Sequence, residues 1–178
     1  SDVCSSDLRI QDGDEDQYRV HELKLPRNAK TVTRLIVELD DLKVLNLSLC
    51  PNITELPSWM FDGTNNLKNL EELDLSDTKK LDRLPEFRLT VGVDGAAAAS
   101  CTTNLRVLKL YGSSVSSLPA SIKNLKNLRE LDLKSTKQLE TLPDEIGHIP
   151  NLEVLHLTWS NVSSIPASVG NLRSEEHT

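Results

Sequence analysis

Along most of this chain leucines recur in the order Leu-x-x-Leu-x-Leu, with mainly polar residues between them. The pattern stands at Leu42, Leu45 and Leu47, then at Leu70, Leu73 and Leu75, and again at Leu105, Leu108 and Leu110. Two more copies begin at Leu128 and Leu152. In Leu-x-Leu the alternate side chains point one way, so the leucines face a core and their neighbours face water. One short strand cannot bury its own apolar face, whereas stacked copies make a parallel sheet over a continuous core. After each copy comes a small residue: Cys50, Thr78, Ser113, Thr136 or Ser160. There the chain turns inward, and a hydroxyl or thiol can bond the backbone of neighbouring turns. Leu-Pro or Ile-Pro follows, at Pro57, Pro85, Pro119, Pro143 and Pro166. Proline fixes φ and removes a donor that would lack a partner. Stretches such as Ala120-Ser121-Ile122 are predicted to return along the opposite side as irregular or short helical segments.

The spacing is uneven. The last steps are 23 and 24 residues, but 35 residues separate Leu70 from Leu105. The excess falls at 89–103, where Val91-Gly92-Val93-Asp94-Gly95 and four alanines read as an inserted loop. The 28-residue step from Leu42 to Leu70 places a smaller extra turn at 62–66. Upstream, Val20-x-x-Leu23-x-Leu25 and Val32-x-x-Leu35 fit a degenerate earlier repeat, preceded by an acidic surface loop over 9–17. The organisation is thus an acidic loop and degenerate repeat over 9–38, then about five repeats over 39–172.

Both ends read differently. Residues 1–8 and 173–178 can be encoded by DNA strings that are reverse complements over their shared length and resemble a sequencing-library adapter. They are therefore read as translated adapter flanking an insert, and excluded from fold reasoning. They carry a net −3 of the chain's −7, leaving −4. A solenoid cut at both ends is expected to leave leucines of its terminal layers uncovered.

Composition sharpens this picture. Aromatics are only 3% of residues, so the core is aliphatic, which suits thin stacked layers. The acidic balance argues against a general affinity for nucleic acid or anionic lipid. No eighteen-residue apolar run offers a membrane span. Inside the insert only Cys50 and Cys101 are thiols, too few for a disulfide framework. His21, His148 and His156 share no metal-ligand spacing, and no Ser/His/Asp order, Cys-x-x-Cys pair or Gly-Lys-Ser/Thr loop occurs. No catalytic residue, cofactor or metal is expected, and the stretch is read as no enzyme. Glycosylation triplets begin at Asn46, Asn52 and Asn161, close to the roughly two that chance supplies, and do not argue for secretion.

The unit Leu-Pro-x-x-Ile-x-x-Leu-x-x-Leu-x-x-Leu-x-Leu, with Cys, Thr or Ser after it, resembles cytosolic leucine-rich repeats, whose units run to roughly 20–29 residues. In detail it is most similar to the repeat region of plant intracellular nucleotide-binding, leucine-rich repeat (NLR) disease-resistance receptors. Residues 105–172 carry most of the likeness, supported by 42–84. The resemblance implies an α/β fold: a right-handed solenoid with a parallel sheet on its concave face and an irregular convex face. It also implies a cytoplasmic recognition role, with a pathogen effector or host protein as partner and the receptor's own nucleotide-binding domain restrained in cis. Rival readings are a small-GTPase-associated scaffold, which keeps a stricter 23-residue period, and a receptor ectodomain, which carries Gly-x-Ile-Pro. A third is the targeting arm of a larger enzyme.

Binding by such a solenoid falls on the solvent-facing strand positions. Alternation assigns these to Val44, Asn46, Ser48; Glu72, Asp74, Ser76; Val107, Lys109, Tyr111; Glu130, Asp132, Lys134; and Val154, His156, Thr158. Trp159 lies just beyond. Glu72, Asp74, Lys109, Tyr111, Asp132, Lys134, His156, Thr158 and Trp159 are the candidate protein contacts. Tyr111, His156 and Trp159 lead them, because exposed aromatics anchor interfaces. Glu72, Asp74 and Asp77 are expected to make one end acidic.

Overall fold

The computed structural model describes residues 8–11, 19–62, 67–91, 97–101 and 104–172. The expected adapter tails, apart from Leu8, lie outside these residues. So do most of the acidic loop and of the extra turn at 62–66.

The first leucine of each regular Leu-x-Leu centres a short strand, with the core on one side of it and water on the other. Strands β2 (Arg19–Lys24), β3 (Val44–Asn46) and β4 (Glu72–Asp74) run parallel, followed in the sheet by β7 (Val107–Lys109), β8 (Glu130–Asp132) and β9 (Val154–His156). Register is constant throughout: Leu23, Leu45, Leu73, Leu108, Leu131 and Leu155 stand in one line. A one-residue slip would turn that whole line out to water, which fixes the register. The parallel sheet thus has six strands: one for each of the five regular repeats, and β2 for the degenerate earlier repeat, where Leu23 and the following Leu25 are buried.

Three expectations for the flanks need correction. Residues 9–11, assigned to an acidic surface loop, belong to β1 (Leu8–Gln11), which pairs antiparallel with β2. It covers backbone groups that β2 would otherwise leave open at the sheet edge. Leu35, read with Val32 as one of the apolar positions of the degenerate earlier repeat, is exposed, and its neighbour Ile36 is buried instead. The segment is a 3₁₀ turn, Arg34–Glu38, and Ile36 takes the inward place that Ile122 and Ile146 take in later turns. The insertion at 89–103 is not a plain loop: β5 (Leu89–Val91) and β6 (Ala97–Cys101) pair antiparallel as a separate two-stranded sheet. Leu-Thr-Val favours a strand, and the glycines at 92 and 95 sit between the paired runs.

The return side is built on proline. Pro57, Pro119, Pro143 and Pro166 each precede a 3₁₀ turn: Ser58–Phe61, Ala120–Asn124, Asp144–His148 and Ala167–Asn171. Each proline carbonyl accepts a hydrogen bond from the amide three residues on, at 3.0–3.1 Å. The turn after Pro85 departs from this scheme. Phe87 fills the layer and meets Phe61 edge to face at 4.9 Å between ring centroids. Its amide N–H donates to the Ser121 hydroxyl oxygen at 2.9 Å and its carbonyl accepts from the Asn124 side-chain amide at 2.7 Å. The only two phenylalanines of the chain thus pack at the layer that bears the insertion.

The small inward residues work as predicted in kind but not in direction. Thr78 and Thr136 are fully buried, and their hydroxyls donate to Leu75 O and Leu133 O of their own turns, both at 2.7 Å. Only Cys50 reaches back a turn, its sulfur 3.4 Å from Pro26 O. Burial pushes the Cys50 thiol pKa up, partly opposed by the charge of Lys24. Asn69 and Asn151, immediately before their first leucines, donate to Asp40 O and Lys126 O in the preceding turn at 2.8 and 2.6 Å. These bonds tie successive turns where the strands begin.

Candidate functional site

The open face of the parallel sheet carries three side-chain rows. The first runs Glu22, Val44, Glu72, Val107, Glu130, Val154, and the second runs Lys24, Asn46, Asp74, Lys109, Asp132, His156. The third, two residues beyond the strand ends, holds Ser48, Ser76, Tyr111, Lys134 and Thr158. All nine candidate contacts lie on these rows or directly after them, so the structure brings them onto one surface.

Their electrostatics differ from the expectation of an acidic end. Lys109 Nζ bonds Glu72 Oε1 across strands at 2.6 Å. That bond raises the Lys109 pKa; desolvation opposes the rise, and Glu72, Asp74 and Glu130 add to it by charge. Lys134 sits 3.6 Å from Asp132, His156 3.7 Å from Glu130, and Asp77 pairs with Lys79 at 2.7 Å. The carboxylates at the supposed acidic end therefore lie among cations that offset them. Asp74 and Asp132 have a second task. Each accepts the backbone N–H two residues on, from Ser76 and Lys134, at 2.9 Å, and Asn46 does the same for Ser48. These side chains cap the end of the strand, as short acidic and amide groups do in turns. A ligand would have to compete with that bond.

A fourth row escaped the sequence reading. Leu49, Asp77, Gly112, Ser135 and Trp159 each precede the small inward residue, and all have φ between 58° and 60°. Every turn passes once through the left-handed region, which sends the chain from the sheet to the core. The signal for it was Gly112, the residue type that enters this region without strain. Leucine and tryptophan enter it at a cost. The row is continuous in space: a Cβ placed on Gly112 would lie 2.7 Å from Asp77 Oδ1. Lysines brace it, Lys79 donating to Gly112 O and Lys137 to Trp159 O, each at 2.6 Å.

Among the described residues β9 is the last strand of the sheet. In earlier turns the equivalents of Leu157 and Trp159 donate their amides to the next strand, as Leu133 and Ser135 do to His156 O and Thr158 O. Trp159 is 71% exposed, and Leu155 and Leu157 are only partly buried. Among the described residues no group of three or more His, Cys, Asp or Glu side chains could hold a metal ion, and no helix is long and apolar enough to cross a membrane.

Comparison with known proteins agrees with this architecture. Residues 96–177 match the family profile described as a leucine-rich repeat region. A volume-regulated anion channel subunit, LRRC8B of Mus musculus, is 32% identical over 152 residues, which is 76% of this chain and 18% of that protein. The disease resistance protein RPS4B of Arabidopsis thaliana is 31% identical over 139 residues, 73% of this chain and 12% of that protein. The chain thus spans less than a fifth of either relative. Among solved structures, the leucine-rich repeat domain of the type III effector XopL superposes with a TM-score of 0.58 at 26% identity, covering 86% of this chain and 58% of that one.

Proposed function

We propose that this leucine-rich repeat solenoid is the recognition arm of a plant intracellular immune receptor, binding an effector or a modified host protein and restraining a nucleotide-binding module in cis. The observation that carries the reading is the open face: six strands in strict register present ordered polar side chains with exposed Tyr111 and Trp159 among them. Such a surface is preorganised for a protein partner, because little side-chain freedom remains to be lost on binding. Similarity to RPS4B, and to the Arabidopsis resistance protein RPP4 at 34% identity over 88 residues, supports the plant assignment. The hairpin inserted between β4 and β7 suits an array of uneven repeats. A cytoplasmic setting belongs to the same reading.

A second reading makes the stretch the leucine-rich arm of a channel subunit or signalling scaffold. It is favoured by the LRRC8B match, which covers at least as much of this chain. The two separate in leaf tissue expressing the full-length protein that contains this stretch. Reversing the cross-strand pair one side at a time, with Lys109→Glu or Glu72→Lys, is expected to release the restraint and give cell death without a ligand. Unaltered quiescence, with both variants folded and expressed, counts against the immune-receptor reading.

A further inference from the structure

A further row borders the face where the strands begin. His21, Lys43, Glu71, Arg106, Arg129 and Glu153 stand one residue before the members of the first row. Each amide from Lys43 onward donates to the carbonyl of the preceding row member at 2.7–2.9 Å, which fixes the order of neighbours. Charges alternate along this row with one break. Glu71 lies between Lys43 and Arg106, its carboxylate oxygens 3.7 Å from the first and 3.4 Å from the second. Arg129 pairs with Glu153 at 2.9 Å. Between these groups Arg106 and Arg129 stand side by side, the Arg129 amide donating to Arg106 O at 2.8 Å. Counting Asp, Glu, Lys and Arg among the described residues, they are the one pair of like-charged neighbours within the five rows of the face. Like charges placed opposite one another on adjacent strands are destabilising. The register that buries the leucine line holds these two together, so the folded chain carries their repulsion at its surface.

Each arginine leans away from the other. Arg106 reaches towards Glu71 on one side and Arg129 towards Glu153 on the other, so the two guanidinium groups flank the boundary between β7 and β8. The side chains are 58% and 60% exposed, and apart from these contacts neither guanidinium bonds another group among the described residues. A guanidinium offers five N–H donors in a planar fork that matches a carboxylate. Acids on the neighbouring row are engaged elsewhere: Glu72 accepts from Lys109 at 2.6 Å, and Glu130 lies 3.7 Å from His156. The charge balance selects the ligand. From Lys43 to Glu153 the row holds three cations and two carboxylates, an excess of one positive charge. One carboxylate neutralises that excess. A phosphate dianion or a run of acids would exceed it and be repelled by Glu71 and Glu153. Val107, beside Arg106 on the first row, is half-buried and uncharged, so it offers a second charge nothing.

We infer that Arg106 and Arg129 anchor a protein partner through a single carboxylate, an Asp or Glu side chain set among uncharged residues. This rests on the open face being the recognition surface. A carboxylate bound there accepts from both guanidinium groups and removes their repulsion, so binding relieves a cost that the free chain bears. The test is selection of a random twelve-residue peptide library, displayed on phage, against the whole chain, with anisotropy titrations of the selected peptides. These peptides are expected to share one Asp or Glu, and changing it to Asn or Gln should weaken binding about tenfold or more. Arg106→Gln combined with Arg129→Gln should weaken it equally, whereas Lys80→Gln, an exposed cation off the face, should bind as wild type. The double variant should melt close to wild type, because both arginines are exposed and the repulsion is lost along with their ion pairs. Phosphoserine in place of the acid should bind more weakly; tighter binding overturns the assignment of a single charge. Peptides indifferent to both arginines but lost in Lys109→Ala or Tyr111→Ala overturn the anchor and leave the open face standing. No selected peptide, or only peptides that none of these variants affects, overturns the anchor together with the open-face reading.

Discussion

The inward-turn position offers a test in which one substitution should have opposite signs at different turns. Thr78, Ser113 and Thr136 are equivalent and buried, but only the threonines have hydroxyl partners, while Ser113 Oγ is buried without one. Thr78→Ala removes a 2.7 Å bond to Leu75 O and a buried methyl group. The bond contributes about 1 kcal/mol net. The methyl adds about 0.8 kcal/mol. Leu75 O keeps the Thr78 amide as a donor at 3.3 Å, so no carbonyl is orphaned and the loss should stay near 2 kcal/mol. Ser113→Ala removes no bond and lifts the desolvation cost of an unpaired hydroxyl, about 1–3 kcal/mol. It should therefore stabilise. For a domain of this size 1 kcal/mol moves the melting temperature by about 2–4 °C. Circular dichroism melts of the two variants should shift in opposite directions, Thr78→Ala down and Ser113→Ala up. If Ser113→Ala melts below wild type by as much as Thr78→Ala, the Ser113 hydroxyl has a partner and the reasoning fails.

Other consequences are as direct. Gly147 packs against the next return turn so closely that a Cβ would collide with the Ser168 carbonyl, so Gly147→Ala should lower the melting temperature sharply, while Gly170→Ala, in open space, should not. Ser135→Gly, at a φ of 59° and with no large apolar side chain to lose, should raise stability by up to about 1 kcal/mol by relieving the left-handed strain, and a fall in the urea midpoint would contradict it. The Glu72–Lys109 bond raises the lysine pKa, so its stabilising effect is complete below the unfolded lysine value and disappears as pH rises through the folded one. Wild type should accordingly lose more stability than Lys109→Met in melts taken above about pH 10.4.

The strand leucines were legible because their period and their burial have one cause: Leu45, Leu73, Leu108 and Leu131 all lie where alternation put them. The nine candidate contacts were legible as a surface for the same reason. What they do there was not. That Asp74 and Asp132 cap the backbone depends on the turn two residues later, and that Glu72 meets Lys109 depends on register across an insertion. Leu35 and Ile36 exchanged places because a short apolar run fits a strand and a 3₁₀ turn equally well. The left-handed row was hidden behind ordinary residues: only Gly112 announced it, while Leu49 and Trp159 took the same conformation against their preference.

The central claim, that this array is the recognition arm of an intracellular immune receptor, is tested most directly by the full-length transcript read outward from codons 9 and 172. A nucleotide-binding module encoded upstream, with its glycine-rich Gly-Lys-Ser/Thr loop, is the predicted result. A signal peptide with membrane spans, or a bare array of regular repeats, would contradict the claim and pass the open face to a channel, ectodomain or scaffold.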